Sequence, residues 1–369
     1  MMTEPTTSIR PVHRVSNEPI VSAGSVEGYG PIFNAGLLHH AGRYHLFARA
    51  VRDGYRLNEG PGPRFLDYVS DIVVFESLDG HSYDFAYVLA RAGDHGVDCF
   101  EDPRVQLVCD RAGEHLVMTY TNLPCAPDQP WRVGAHLLDH DGERFHLDPR
   151  SGSLLGPDGV RDKDAVVFAL ADGRVALVHR IHPDMQIAVF DDLHQLWHAE
   201  QEYWDAHLEA LETHTIVRPT PGALGIGAGA PPLATPDGLL LFFHERRSDG
   251  VYTMNLALLD ARTGHPIAVL DQALLEPELD WERFGDVDDV VFVQGAHVQA
   301  DGDTILLVYG AADRHVGAAT ASMRHLLELL REASGEDDAT SSAAWRVPMN
   351  ARVDSAPWLR LTPPGVNAS

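Results

Sequence analysis

The chain has few cysteines and few basic residues, and both shortages exclude classes of protein. Cys99, Cys109 and Cys125 are the only three cysteines in 369 residues. A sparse, odd-numbered set does not fit a disulfide scaffold and is typical of a reducing compartment. The 28 basic residues are outnumbered by 54 acidic ones, which gives a formal charge of −26. A field of this sign repels phosphodiester backbones and anionic lipid, so we expect no nucleic-acid or membrane partner.

Long hydrophobic segments and the common cofactor motifs are also missing. The densest apolar run, LLLFF at 239–243, has five residues, against the roughly 20 that a membrane span needs. The N-terminal residues lack the apolar run of a signal peptide, so we expect a soluble, cytoplasmic protein. GIGAGA at 225–230 is followed by two prolines where a dinucleotide-binding loop requires a helix, and Walker, GxSxG and HExxH motifs are absent. We expect no cofactor and no metal site.

The chain does contain a fivefold repeat of short turns between apolar runs. The turn glycines are Gly42, Gly113, Gly173, Gly238 and Gly302, at intervals of 71, 60, 65 and 64 residues. Glycine supplies the positive φ angle that a tight hairpin requires. Because each turn joins two apolar runs and a third follows, the repeats predict an all-β, five-bladed β-propeller, with a β-sandwich or two all-β domains as alternatives.

The predicted propeller is a single domain spanning residues 1–369, with blades roughly within 14–322. Helical periodicity is confined to two segments. WDAHLEALE at 204–212 is expected in a connector between blades, and MRHLLELLREA at 323–333 is expected to cap the last blade and to precede a polar tail that ends at 369.

Hairpin geometry selects the residues that meet at one end of the propeller. The start of a first strand and the end of a second strand lie together, opposite the glycine turns. The residues that open first strands are Asn34, Glu101 to Arg104, Lys163, Asp164, Gly229, Asp288 and Asp289. Those that close second strands or follow them are Arg49, Tyr120, Arg180, His244, Tyr309 and Asp313. We expect this polar ring to surround a central pocket.

The ring combines one good proton donor with several cations. Asp102 lies in an EDPR segment, where Pro103 stiffens the loop and Arg104 can orient the carboxylate. An isolated EDPR string would be read as a surface Asp–Arg pair; its place in the ring favours function. Arg49, Lys163, Arg180 and His244 form a cationic cluster that suits a phosphate or carboxylate ligand, although each alone could serve a structural ion pair. Tyr252 could add a hydroxyl donor or be a core residue.

These segments resemble glycoside hydrolase family 130, the inverting β-mannoside phosphorylases and related mannosidases. CFEDPRV and GAGAPPLATPDGLLLFFHE carry the most specific similarity, and weaker matches extend over roughly residues 14 to 320. The resemblance implies a five-bladed propeller with a central active site and Asp102 as its general acid. It implies a phosphate pocket, whose residues are Lys163, Arg180, His244 and Tyr252. It also implies sugar contacts from Asn34, Arg49, Arg104 and Asp313, and we place Asp164 with them.

Three functions follow as hypotheses. The leading one is an inverting phosphorylase that cleaves a β-mannoside with inorganic phosphate as co-substrate and releases α-mannose 1-phosphate. The second is an inverting hydrolase of the same fold, which needs a base such as Glu245, Asp164 or Asp313, with a water molecule between acid and base. The third is a non-catalytic carbohydrate-binding propeller. The expected partners are a small oligosaccharide and phosphate, and the family resemblance is compatible with a homo-oligomer.

Overall fold

The glycine turns join pairs of antiparallel strands, and each pair begins one of five sheets arranged as the blades of a propeller. The computed structural model describes residues 11–58, 60–61, 64–126 and 129–334. Gly42 and Gly173 have φ angles of 77° and 82°, a region in which only glycine avoids a Cβ penalty. The five-bladed propeller predicted from the repeat spacing is confirmed.

The blades follow one another in chain order, and each is built from its innermost strand outward. Blade 1 consists of Tyr29–His40, Arg43–Arg52, Ser70–Ser77 and Asp84–Ala90. Blade 2 consists of Cys99–Cys109, Glu114–Leu123 and Arg132–His140, with Phe145–Leu147 and Ser153–Leu155 beside the third strand. Blade 3 consists of Lys163–Ala169, Val175–Arg180, Met185–Phe190 and Thr215–Val217.

Blades 4 and 5 depart from this plan. The inner position of blade 4 is shared by Gly225–Ala228 and Leu233–Thr235, and the outer strands are Gly238–Arg246, Tyr252–Leu259 and Pro266–Val269. Blade 5 consists of Val291–Val298, Thr304–Ala311 and His315–Ser322, and the N-terminal strand Val12–Arg14 completes it. Val12 pairs with Ala321, so the first described strand of the chain closes the ring.

One predicted helix lies in a different place from the one expected. The helical insert, residues 193–214, comprises Leu193–Trp197, Gln201–Glu209 and Leu211–His214. It lies within blade 3, between the third and outermost strands, and not in a connector between blades, because Thr215–Val217 still pairs with Met185–Phe190 after the insert. The shorter elements are Asp94–Gly96, Asp280–Arg283 and the hairpin Arg56–Leu57 with Phe65–Leu66.

The second predicted helix, Met323–Ser334, is confirmed as a cap on the last blade. It buries Met323, Leu326, Leu327 and Leu330 in the cluster that blades 4 and 5 share. The polar tail predicted after it lies outside the described residues, apart from Ser334.

The core consists of five apolar layers, one between each pair of neighbouring blades. Strand alternation explains how one strand serves two layers. Leu46 faces blade 5 with Leu306 and Val308, whereas its neighbour Phe47 faces blade 2 with Phe100. Both faces of an inner strand are therefore buried, which is why these strands read as nearly continuous apolar runs. Among the described helices, none is long and apolar enough to cross a membrane.

Candidate active site

The innermost strand of every blade is interrupted, and in three blades the interruption positions a predicted site residue. The pairing register shifts at Asn34 in blade 1, around Asp102 in blade 2 and around Asp164 in blade 3. These residues have φ angles of 47°, 52° and 54°, and asparagine and aspartate tolerate this left-handed conformation best after glycine. A bulge re-aims a side chain, so each blade turns one polar group out of its regular ladder.

The equivalent bulge in blade 5 contains Gln294, which sequence reasoning missed. The Gln294 side chain is fully buried, and its Nε2 atom donates to the backbone oxygens of Asn34 and Pro103, both at 2.7 Å. One amide therefore ties blade 5 to blades 1 and 2 next to the catalytic candidate. The available signal was a single polar residue beside a glycine in the apolar run VVFVQGAHV.

Asp102 is held by two side chains of blade 1. Its Oδ1 atom accepts from Asn34 Nδ2 at 2.8 Å and from Arg49 Nη1 at 3.1 Å. Burial raises the pKa of the Asp102 carboxyl, but the charges of Arg49, Lys163 and Arg104 outweigh it and bring that pKa below its ordinary value. Without a bound anion, Asp102 is therefore an ionised carboxylate at neutral pH.

Glu101 and Arg49 lie on the same side of the site as Asp102. Arg49 donates to Glu101 through its second guanidinium nitrogen, and it lies 4.8 Å and 5.2 Å from the ring centres of Phe33 and Tyr68. Burial, followed by the opposing attraction of Arg49 and the repulsion of Asp102, leaves the pKa of Glu101 raised. Two adjacent carboxyl groups thus have pKa values shifted in opposite directions.

Asp313 adds a third carboxyl group to this side. It follows the second strand of blade 5 with a φ of 54°. Burial raises its pKa to about 7; Arg49 opposes the shift, and Asp102 and Glu101 reinforce it. The sequence predicts Asp313 in the polar ring, and in the structure the charges of Arg49, Asp102 and Glu101 act on it.

Asp164 is the centre of the cationic side. Its carboxylate lies 3.1 Å from Arg180 Nη2, 3.4 Å from Arg104 Nη2 and 3.6 Å from His244 Nε2. Burial opposes ionisation, but Lys163 and these neighbours keep the pKa of Asp164 well below its ordinary range. Burial lowers the pKa of His244 to about 3, so His244 is neutral at pH 7 and offers one N–H donor.

Lys163 is the only lysine of the chain. It is paired with Arg180 across the first two strands of blade 3, and its charge acts on carboxyl groups from blades 2, 3 and 5. Tyr252 lies beside His244, with ring centres 6.1 Å apart, and Arg246 covers its ring at 5.4 Å. The four predicted phosphate-pocket residues are thus brought together from blades 3 and 4.

Arg104 links the two sides. It donates to the backbone oxygens of Asp102 at 2.9 Å, Gly229 at 2.9 Å and Ala228 at 2.8 Å. Its side chain is 1% exposed. These hydrogen bonds connect the EDPR loop to the interrupted inner strand of blade 4. The predicted ring residue Gly229 contributes its carbonyl group, which accepts from Arg104.

Four members of the predicted ring lie elsewhere. The Tyr120 hydroxyl is 3.1 Å from His136 Nδ1, and the Tyr309 hydroxyl donates to Glu282 at 2.8 Å; both rings pack between blades. Adjacent residues of a strand face opposite sides of the sheet. The side chains of Tyr120 and Tyr309 point away from the central site. Asp288 is exposed, and Asp289 lies 3.5 Å from Arg283.

Buried polar atoms without a hydrogen-bond partner gather around this pocket in the described part of the chain. They include Asn34 Oδ1, Arg49 Nε, Tyr68 Oη, Arg180 Nε and His244 Nδ1. Such groups are rare in folded proteins and are usually satisfied by water or a ligand. Unpartnered polar atoms from blades 1, 3 and 4 therefore lie at a site suited to a polar, anionic ligand.

Comparisons with known proteins identify the family of the chain. A family model described as beta-1,4-mannooligosaccharide phosphorylase matches residues 4–332. A beta-1,2-mannobiose phosphorylase of Thermoanaerobacter sp. (strain X514) is 30% identical over 316 residues, which cover 83% of this chain and 95% of that protein.

Two solved structures share the fold. Beta-1,2-mannobiose phosphorylase from Listeria innocua, in complex with beta-1,2-mannobiose, has a TM-score of 0.66 and 20% identity, with 87% of this chain and 99% of that chain covered. A structure from the GH130 family of mannoside phosphorylases, a family that contains glycoside hydrolases that target beta-1,2 mannosidic linkages in Candida mannan, has a TM-score of 0.65 and 19% identity, with 87% and 96% covered. The propeller, the EDPR segment and the family match agree, and the chain belongs to glycoside hydrolase family 130.

Proposed function

We propose that this enzyme is an inverting glycoside phosphorylase that cleaves a β-mannoside with inorganic phosphate and releases α-mannose 1-phosphate. The observation that carries the proposal is the division of the pocket. Asp102 lies among sugar-type hydrogen-bonding groups, Asn34 and Arg49, and faces a cluster that contains Lys163, Arg180 and His244. A phosphorolytic reaction needs one acid and a cationic cradle, because phosphate is itself the nucleophile.

Asp102 supplies the proton to the glycosidic oxygen, directly or through a hydroxyl group of the mannosyl unit. The bond between C1 and that oxygen breaks, and the leaving sugar departs as an alcohol. A phosphate oxygen forms the new bond to C1 from the opposite face, which inverts the configuration. Phosphate binding prepares the acid, because an anion near Lys163 offsets the charge that keeps the pKa of Asp102 low.

Lys163, Arg180, His244 and Tyr252 hold the phosphate. Arg180 and Lys163 provide charge, and neutral His244 and the Tyr252 hydroxyl provide directed donors. The ionised carboxylate of Asp164 contacts Arg180 and His244 and so positions both side chains. Asn34, Arg49 and Asp313 contact the mannosyl unit, whereas Arg104 and Asp164 shape the pocket through contacts with the protein.

Hydrolysis is the second candidate, because one carboxyl group is suited to act as a base. Glu245 is a poor base: both of its oxygens accept from Thr220, at 2.8 Å and 2.7 Å. Asp164 stays ionised, but its carboxylate is engaged in ion pairs with Arg180 and Arg104. Asp313, whose pKa is raised to about 7, is the remaining one of the three candidate bases.

The deciding experiment measures cleavage of β-1,2-mannobiose and β-1,4-mannooligosaccharides with and without phosphate. We expect turnover only with phosphate, and we expect α-mannose 1-phosphate as the product by proton and phosphorus NMR. In the reverse direction, α-mannose 1-phosphate with mannose, glucose or N-acetylglucosamine should release inorganic phosphate. Cleavage at an undiminished rate in phosphate-free buffer, with mannose as the product, would establish the hydrolase instead.

A further inference from the structure

A buried chain of hydrogen bonds runs behind the phosphate pocket, on the side of blade 3 that faces the helical insert. Asp162 and His179 are fully buried, and His207 is 2% exposed. Asp162 Oδ2 lies 2.6 Å from His179 Nδ1, and His179 Nε2 lies 3.2 Å from His207 Nε2. His207 belongs to the helix Gln201–Glu209, so the chain connects the sheet to the insert.

The inner end of this chain reaches the residues that precede the two pocket cations. Asp162 precedes Lys163 and His179 precedes Arg180, and Lys163 and Arg180 are directly paired. The second oxygen of Asp162 accepts from the backbone N–H of Arg180 at 3.2 Å. Asp162 therefore holds the Arg180 backbone at the point where the register shifts and Asp164 turns into the pocket.

The outer end depends on His207. Its ring stacks on His214, with centres 4.2 Å apart, and meets the Trp204 ring edge-on at 5.6 Å. Burial lowers the pKa of His207 to about 3, so the ring is neutral and one proton lies between the two Nε2 atoms. His207 Nδ1 has no partner in the described part of the chain, which makes the bond to His179 the polar contact that holds this ring.

We propose that Asp162, His179 and His207 are positioning residues that couple the docking of the helical insert to phosphate affinity, by fixing Arg180 from behind. The inference rests on the proposed phosphate pocket. It adds that three residues outside that pocket control its affinity for phosphate. Arg180 Nη2 forms an ion pair with Asp164 at 3.1 Å. A small displacement of the Arg180 backbone weakens both this ion pair and the binding of phosphate. The mannosyl contacts come from blades 1, 2 and 5, so the effect is specific to phosphate.

The test compares two substitutions of His207 by calorimetric phosphate binding and by steady-state kinetics. His207→Leu keeps the volume but removes the bond to His179, whereas His207→Gln can place a polar atom where Nε2 was. We expect phosphate affinity to fall about tenfold in His207→Leu, at the low end of the loss seen when hydrogen-bond partners of metal ligands are removed, and to stay within about threefold in His207→Gln. The KM for phosphate should follow the affinity, and the KM for the mannoside should not change.

His214→Gln is the matched control, since it removes the stacked ring but no hydrogen bond of the chain. Asp162→Asn tests the other end if His207→Leu fails to fold: its amide must donate to His179 Nδ1, which moves the ring proton to Nε2 in nitrogen-15 NMR and should also weaken phosphate binding. Unchanged phosphate affinity in His207→Leu, or equal losses in the leucine and glutamine variants, overturns the coupling. A wild-type enzyme that binds phosphate but cleaves without it would instead refute the phosphorylase assignment alone.

Discussion

Asn34 Nδ2 donates to Asp102 Oδ1 at 2.8 Å, and both residues adopt left-handed backbone conformations in neighbouring blades. The bond leaves the second oxygen of Asp102 without a side-chain donor among the described contacts of this carboxylate. One oxygen is therefore fixed by the protein, and the other is the one that can transfer a proton to a substrate.

Replacing Asp102 with asparagine should remove catalysis and keep binding. Asparagine is isosteric but cannot donate an acidic proton, and positioned general acids contribute about 10²- to 10⁴-fold. We expect kcat to fall by that factor, while phosphate binds at least as tightly because a negative charge has left the pocket. Asp139→Asn, an exposed change in the same blade, is the control; an Asp102→Asn enzyme with kcat within threefold of wild type contradicts the assignment.

The single lysine makes the phosphate pocket chemically addressable. Pyridoxal 5′-phosphate carries an aldehyde and a phosphate group, and it should form an imine with Lys163 that borohydride reduces to a stable secondary amine. Mass spectrometry should find one labelled side chain, and inorganic phosphate should protect it. Peptide mapping separates this adduct from labelling of the N-terminal amine. Labelling of Lys163 that phosphate does not slow would place the phosphate elsewhere.

Anion binding should depend on pH through Asp313. Its raised pKa, about 7, means that it gains a negative charge as the pH rises through neutrality, and this charge repels an anion held near Lys163. Sulfate, which stays a dianion over this range, should therefore bind more weakly above pH 7 than below it. His244 stays neutral throughout, since its pKa is about 3. Asp313→Asn should flatten the profile, and an unchanged slope in that variant would assign the titration to another group.

The same carboxyl group should cost stability at high pH. Because the folded pKa, about 7, lies above the ordinary 3.8, ionisation is harder in the folded protein, so stability falls as the pH rises from about 4 to about 7 and then levels off. Asp313→Asn should match wild type in urea unfolding at pH 4. At pH 8 it should be more stable by about 4 kcal/mol. Equal stabilities at both pH values would show that the carboxyl group titrates normally.

The fold was predictable because its signals are local. Hairpin turns such as those at Gly42 and Gly173 require a residue that tolerates positive φ, and the apolar runs beside them have strand length, so the repeat can be counted in the sequence. The strand Val12–Arg14 escaped because three residues carry no periodicity and their partner lies at the other end of the chain.

The site was predictable to the extent that strand ends determine it. Asp102, Asp164 and Arg180 converge as hairpin geometry requires. Tyr120 and Tyr309 were wrongly placed, because the face that a residue occupies depends on the register, and bulges change the register by one residue. Gln294 and the chain behind Arg180 could not be predicted, since they act through contacts between blades or with the helical insert that no local pattern specifies.

The closure of blade 5 by Val12–Arg14 has a consequence for synthesis on the ribosome. These three residues emerge before every other described strand, but the strand they pair with, His315–Ser322, emerges after the first four blades. Until then the nascent chain is an open arc, and the apolar face of blade 1 that packs against blade 5 is uncovered. Gln294 can bind the backbone oxygens of Asn34 and Pro103 only when that gap closes, so this part of the active site depends on the docking of blade 5.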